Sequence, residues 1–224
     1  MSDNGIRASG DIELETVIHT VAATGVPDDE AVRVLHTRYA PSQQVLDLVL
    51  THGRVVADIA QWCAGRVDQP VDRALLRAAC LLHDIGTYVL YLEDGSIPNP
   101  GVYPLHAVIG SRMLADEGLP EPLWRAVETH VLMGLSRAEI TGEDGGSPWP
   151  LPHRDYLPRT IEAEILCYAD RFHSKSPQLN DPERFAADLQ RRAPTQARRF
   201  RAAIERFGLP DLAALATTYG HPVV

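Results

Sequence analysis

The stretch Leu81-Leu82-His83-Asp84-Ile85-Gly86 sets an imidazole and a carboxylate at the end of an apolar run. Upstream, Pro70-Val71-Asp72 opens a segment in which Leu75, Leu76, Ala79 and Leu82 recur at helical spacing. The run therefore reads as an amphipathic helix that faces a core and stops near Gly86, with Gly86 as its terminator. A carboxylate beside buried aliphatics is costly unless it is paired or metal-bound. What surrounds His83 and Asp84 decides how they are read.

Outward from this helix the pattern stays helical, with turn residues as punctuation and no convincing alternation of a strand. Residues 12–24 and 28–38 read as two helices around Gly25-Val26-Pro27, with Asp28 or Asp29 as a cap. Val45, Leu48, Val49, Val55, Val56, Ile59 and Trp62 carry a third to about residue 65. Residues 93–103 read as a loop, and further helices follow Pro104 and Pro120 or Pro122. The Gly- and Pro-rich stretch 141–159 is irregular, and such a stretch in a compact domain is usually a lid or pocket wall. Helices then span about Thr160 to Arg171, open at Asp181-Pro182-Glu183, and continue from about 194 to 217. The fold class expected is all-α, a helical bundle.

Composition narrows the function. The 224 residues carry 21 basic and 30 acidic side chains, a formal charge of −9. No basic stripe is available to displace counterions from a nucleic acid. Cys63, Cys80 and Cys167 form no C-x-x-C pair and read as small core residues in a reducing compartment. No signal peptide and no membrane-length apolar run is apparent, so a cytoplasmic location is expected.

Four histidines, His52, His83, His106 and His130, lie in segments otherwise lined with apolar residues, and Asp84 and Asp170 share such settings. A single histidine on an apolar face is ordinarily a satisfied core residue. Six such groups on five helices point instead to a site between helices of a bundle. Imidazole and carboxylate together suit Fe, Mn, Co, Ni or Zn.

The order His52…His83-Asp84…Asp170 resembles the H…HD…D signature of the HD-domain superfamily, helical metal-dependent phosphohydrolases, and Leu82–Gly86 is similar to its HDIG variant. His106 and His130 resemble the extra pair of members that bind two metals. The resemblance implies an HD-domain helical bundle over residues 28–176, preceded by a partly helical extension (1–27) and followed by packed C-terminal helices (177–224). It implies two divalent transition metals, iron or manganese favoured. His52, His83, Asp84 and Asp170 would hold the first; Asp84 would bridge to a second on His106 and His130, with His83 and Asp84 at the centre of catalysis. Two cations about 3.5–4 Å apart lower the pKa of a bridging water, giving a hydroxide that attacks phosphorus.

Lys175, Arg171 and His173 follow Asp170 and are candidates for binding a phosphate, as are Arg112 and Tyr156. His19, His36 and His221 read as surface or local residues. The function expected is hydrolysis of a phosphomonoester, phosphoanhydride or phosphodiester of a nucleotide or other small phosphorylated metabolite, with no nucleic-acid or membrane partner. Mixed-valent di-iron oxygenases acting on phosphonates or polyols share the ligand set and are the alternative.

Overall fold

The computed structural model describes residues 25–224. The helix expected over 12–24, and His19 within it, lie outside them. The described helices are α1 (Asp29–Tyr39), α2 (Gln43–Ala64), α3 (Arg73–Leu82), α4 (His106–Asp116), α5 (Glu121–Glu128), α6 (Arg137–Thr141), α7 (Ile161–Ala169), α8 (Pro182–Arg192), α9 (Pro194–Phe207) and α10 (Leu212–Tyr219). Three 3₁₀ turns, Ile85–Val89, Pro100–Leu105 and Asp170–Phe172, fill gaps between them. Among the described residues a two-residue antiparallel ladder, β1 (His173–Ser174) with β2 (Gln178–Leu179), interrupts the helices, and in it His173 faces Leu179.

The helix starts follow capping chemistry. Asp28 accepts from Ala31 N at 2.9 Å, Asp72 from Leu75 N at 2.9 Å, Thr160 from Ala163 N at 3.2 Å and Asp181 from Arg184 N at 2.9 Å. Each side chain satisfies a backbone donor that the first turn leaves open.

One core unites α2, α3, α5, α7 and α9. Val45, Val49, Val56 and Ile59 of α2 meet Leu75, Leu76, Ala79 and Leu82 of α3, all buried. Each such aliphatic contributes on the order of 1.5–3 kcal/mol relative to exposure. Gly53 lets the two helices close: a Cβ there would stand 3.1 Å from Leu81 O. The C-terminal helices join the same core through Phe200 and Phe207, whose rings pack on Tyr168. Cys63, Cys80 and Cys167 are buried free thiols.

Two boundaries differ from the sequence pattern. Helix α3 stops at Leu82 rather than near Gly86, because Asp84 leaves helical geometry at φ −100°, ψ 10° and the chain tightens into a 3₁₀ turn. Gly86 is not a terminator. It is the point where this turn meets α4, since a Cβ on Gly86 would overlap His106 O and the backbone of Gly110. Helix α5 likewise ends at Glu128, short of Val131. The stretch 141–159 is a packed wall: Leu135 and Tyr156 exchange backbone hydrogen bonds at 3.1 and 2.7 Å and share a small core with Ile140 and Leu151. Among the described residues no helix is long and apolar enough to cross a membrane.

Candidate metal centre

The six candidate ligands arrive from different elements at one point. His52 occupies the core-facing stripe of α2, and His83 caps the end of α3. Asp84 is held by its own backbone, whose carbonyl accepts from Thr87 N at 2.9 Å and Thr87 Oγ1 at 2.7 Å. His106 is the first residue of α4, His130 follows the end of α5, and Asp170 caps α7. Donor atoms of His52, His83 and Asp84 lie within 4.8 Å of one another, as do those of His83, His130 and Asp170, and of Asp84, His106 and His130.

Three of the rings are oriented by backbone carbonyls three residues upstream. Nδ1 of His83 faces Cys80 O at 2.7 Å, that of His106 faces Tyr103 O at 2.5 Å, and that of His130 faces Val127 O at 2.6 Å. A carbonyl only accepts, so each Nδ1 carries the proton and each Nε2 presents a lone pair in the neutral ring. Burial favours that neutral form, lowering His52 and His130 to about 3, with the Lys175 charge adding to the effect on His52. Neutral imidazole is the state that ligates a metal.

The Nε2 atoms converge in pairs. Nε2 of His106 lies 2.9 Å from Nε2 of His130, and Nε2 of His52 lies 3.1 Å from Nε2 of His83. Both oxygens of Asp84 are buried; the Lys175 ammonium lies against Oδ2, and Oδ1 has no hydrogen-bond partner. Its Oδ2 faces His52 and His83, each at 3.2 Å, while Oδ1 faces His106 at 3.2 Å and His130 at 3.7 Å. Asp170 Oδ1 stands 3.0 Å from His52 Nε2 and 3.5 Å from His83 Nε2. Lone pairs and carboxylates packed this way repel unless positive charge sits among them. The donor set therefore has the chemistry to hold divalent metal ions. Burial alone would raise the Asp84 carboxyl, but the polar and charged groups around it, His83 and Lys175 foremost, outweigh burial and hold it well below the usual range.

The ligands open onto a cleft of about 700 Å³. Its walls include Tyr91, Tyr103, Trp149 and Phe185, and its charged edge is Lys175 and Arg171. The Lys175 ammonium lies against Asp84 Oδ2 and 5.3 Å over the Tyr103 ring. Arg171 braces the site from within, pairing with Asp170 and donating to Cys167 O at 3.2 Å.

Two residues expected at the substrate are elsewhere. Arg112 sits on the outer face of α4, 78% exposed and paired with Asp116 one turn on. Tyr156 is buried in the small core under the 141–159 wall, its hydroxyl accepting from Arg154 Nε at 3.1 Å. His173 lines the cleft but also stands behind His52, Nδ1 to Nδ1 at 2.9 Å. His36 is fully buried rather than superficial: Nε2 donates to Leu81 O at 2.9 Å and Nδ1 accepts from Tyr88 OH at 2.6 Å. Sequence reasoning passed over the aromatic walls. The signal for Tyr103 is its position three residues before His106; Trp149 and Phe185 come from distant segments and carry none.

Residues 49–175 match the HD domain family. The chain is 28% identical over 172 residues to a tRNA (cytidine(56)-2'-O)-methyltransferase of Picrophilus torridus, covering 76% of this chain and 43% of that protein. It is 33% identical over 113 residues to an uncharacterized protein of Methanocaldococcus jannaschii, covering 50% of this chain and 57% of that one. It thus spans about half the length of the curated relatives it matches. Among solved structures, the HD domain of the L. monocytogenes phosphodiesterase PgpH superimposes with a TM-score of 0.51 at 16% identity, covering 84% of this chain and 98% of that domain. The same domain in complex with cyclic-di-AMP gives 0.50 at 16% identity, covering 84% and 96%. At this identity the likeness is one of fold.

Proposed function

The chain belongs to the HD-domain family, and from that footing we propose that it is a metal-dependent phosphohydrolase acting on a nucleotide or other small phosphorylated metabolite. The observation that carries the reading is the buried Asp84 carboxylate, with each oxygen turned to a different pair of histidines. His52, His83, Asp84 and Asp170 would hold one divalent ion, and His106, His130 and the other oxygen of Asp84 a second. Iron and manganese are the favoured ions, and cobalt, nickel and zinc suit the same donors. Bound there, such ions supply Lewis acidity, lower the pKa of water and offset charge on phosphoryl oxygens.

The chain's own residues do the rest. The carbonyl-anchored rings keep their lone pairs aimed without a reorganisation cost. Arg171 holds Asp170 in place. Lys175, whose ammonium lies against Asp84 and borders the cleft, is the group placed to meet a phosphoryl oxygen. The aromatic walls give an apolar surface to the non-phosphate part of a substrate. The three buried free thiols fit a reducing, cytoplasmic setting. The methyltransferase named above is more than twice the length of its matched part, and its activity is not carried over.

A panel of nucleotides and sugar phosphates, assayed under nitrogen with Mn²⁺ or Fe²⁺, tests the proposal. Phosphate release that Asp84→Ala abolishes is expected. Silence under nitrogen, with substrate consumed only when oxygen is admitted, would replace hydrolysis by the oxygenase reading.

A further inference from the structure

Behind the candidate metal centre three imidazoles stand in line. Nδ1 of His52 is 2.9 Å from Nδ1 of His173, and Nε2 of His173 is 2.9 Å from Nδ1 of His221. The rings are near parallel, at 23° and 15°, with centroids 5.2 and 5.1 Å apart. His221 is 48 residues from His173 and beyond the stretch that matches the family. Its place is fixed by backbone pairing: Leu179 N donates to Pro222 O at 2.8 Å, Val224 N to Leu179 O at 2.9 Å and Asp181 N to Val224 O at 2.8 Å. Two residues before His221, at the end of α10, Tyr219 OH donates to Asp58 Oδ2 at 2.5 Å, tying the same segment to α2, which carries His52.

The line has only two consistent proton arrangements, because each neutral ring holds one N–H. If His52 offers Nε2 to a metal, its proton is on Nδ1 and donates to His173. That puts the His173 proton on Nε2, where it donates to His221 Nδ1, and the His221 proton then faces outward. In the opposite arrangement every proton shifts to the other nitrogen, and the one on His52 covers the atom that must ligate. His173 is buried, so its Nε2–H needs an acceptor, and among the described residues the ring of His221 provides it.

We propose that His173 and His221 are positioning residues for the metal centre: the line they form lets His52 present Nε2 as a bare ligand, and so couples the C-terminal segment to metal affinity. The inference rests on the metal-centre reading above. It assigns a role to His221 that lies outside the ligand set and outside the cleft.

The test is Zn²⁺ affinity of the full chain, by chelator competition, in wild type, His221→Phe and His221→Asn. Phenylalanine keeps a ring against His173 but has no acceptor; asparagine restores an acceptor without the ring. A loss of about tenfold or more is expected for the phenylalanine variant, as for other residues that orient metal ligands. The asparagine variant is expected to stay near wild type, and the metal-free melting temperatures of all three to agree. Nitrogen NMR of the Zn²⁺-loaded wild type should show the His52 proton on Nδ1, whatever the variants do. Unchanged affinity in His221→Phe, equal losses in both variants, or a His52 Nδ1 without a proton would overturn the proposal while leaving the metal centre standing. A wild-type chain that binds no Zn²⁺ would instead remove the metal-centre reading, and this inference with it.

Discussion

His106 and His130 approach each other through their Nε2 atoms, at 2.9 Å, while both Nδ1 protons are committed to the carbonyls of Tyr103 and Val127. Neither ring has a proton left to place between them, so the contact is stable only with a cation or with one ring charged. Burial disfavours the charged ring for His130. A divalent ion should therefore stabilise the protein strongly. At a concentration one hundred times its dissociation constant a ligand adds about 2.7 kcal/mol. Thermal unfolding with Mn²⁺ against a chelator should show a clear rise in Tm for wild type. Asp84→Ala should remove that rise, and a wild-type Tm indifferent to chelation would contradict the site.

Lys175 and the ions compete for one oxygen, since the ammonium already lies against Asp84 Oδ2. Lys175→Met should consequently act in two directions. Metal affinity should rise, because a rival cation is gone. Turnover should fall, because a charge-assisted contact to phosphate is worth about 1.5–3 kcal/mol, or roughly 10–100-fold in kcat/KM. Lys175 is the only lysine in the chain, so an amine acylating reagent should reproduce the loss of activity, and a phosphorylated substrate should protect. Parallel falls in affinity and activity would point to a structural role instead.

His36 gives a pH dependence separable from the ligands. It is fully buried, hydrogen-bonded as a neutral ring to Leu81 O and Tyr88 OH, and burial lowers it to about 4. In the unfolded chain it takes up a proton near the ordinary histidine value of about 6.5. Below that value the unfolded state binds the extra proton and stability falls with pH, by up to about 1.4 kcal/mol per unit, until the folded group also protonates near 4. Denaturant midpoints of metal-free protein between pH 7 and pH 4.5 should show this decline. His36→Gln, which gives up the titration, should flatten it by about one proton. An unchanged slope would mean that His36 is not the buried neutral base described.

The clustering of the six candidate ligands was legible because each obeys a local rule: a polar group in an apolar helical segment must be satisfied, and six of them are not all satisfied by chance. The same rule passed over His36, although Val32, Val34 and Leu35 beside it are buried, and over His221; their partners, Tyr88 and His173, are 52 and 48 residues away. It misjudged Arg112 for the opposite reason. The residue shares a helix with His106, but its position around the helix axis turns it to solvent and to Asp116. Tyr156 illustrates a third case, in which a segment called irregular from its Gly and Pro content packs a core of its own. Capping was read correctly at Asp181, and Asp28 was one of the two candidates for its helix, because a cap is settled within four residues.

Gly86 brings these scales together. Read along the chain it ends a helix; in three dimensions it is where the turn after His83-Asp84 touches the first turn of α4, at His106 O and Gly110. A methyl group has no room there, and the obstacles are backbone atoms that cannot swing aside. Gly86→Ala should thus push α4 away from the turn, costing about 1–3 kcal/mol or more as overpacking does. The displaced helix carries His106, so the variant should also bind metal more weakly. Gly53→Ala is the control: its Cβ would approach Leu81 O at 3.1 Å, a contact that a shift of a few tenths of an ångström relieves. Denaturant unfolding should therefore rank Gly86→Ala well below Gly53→Ala, with Mn²⁺ affinity following the same order. Equal stability of the two variants would show that the turn and α4 are not in the contact described.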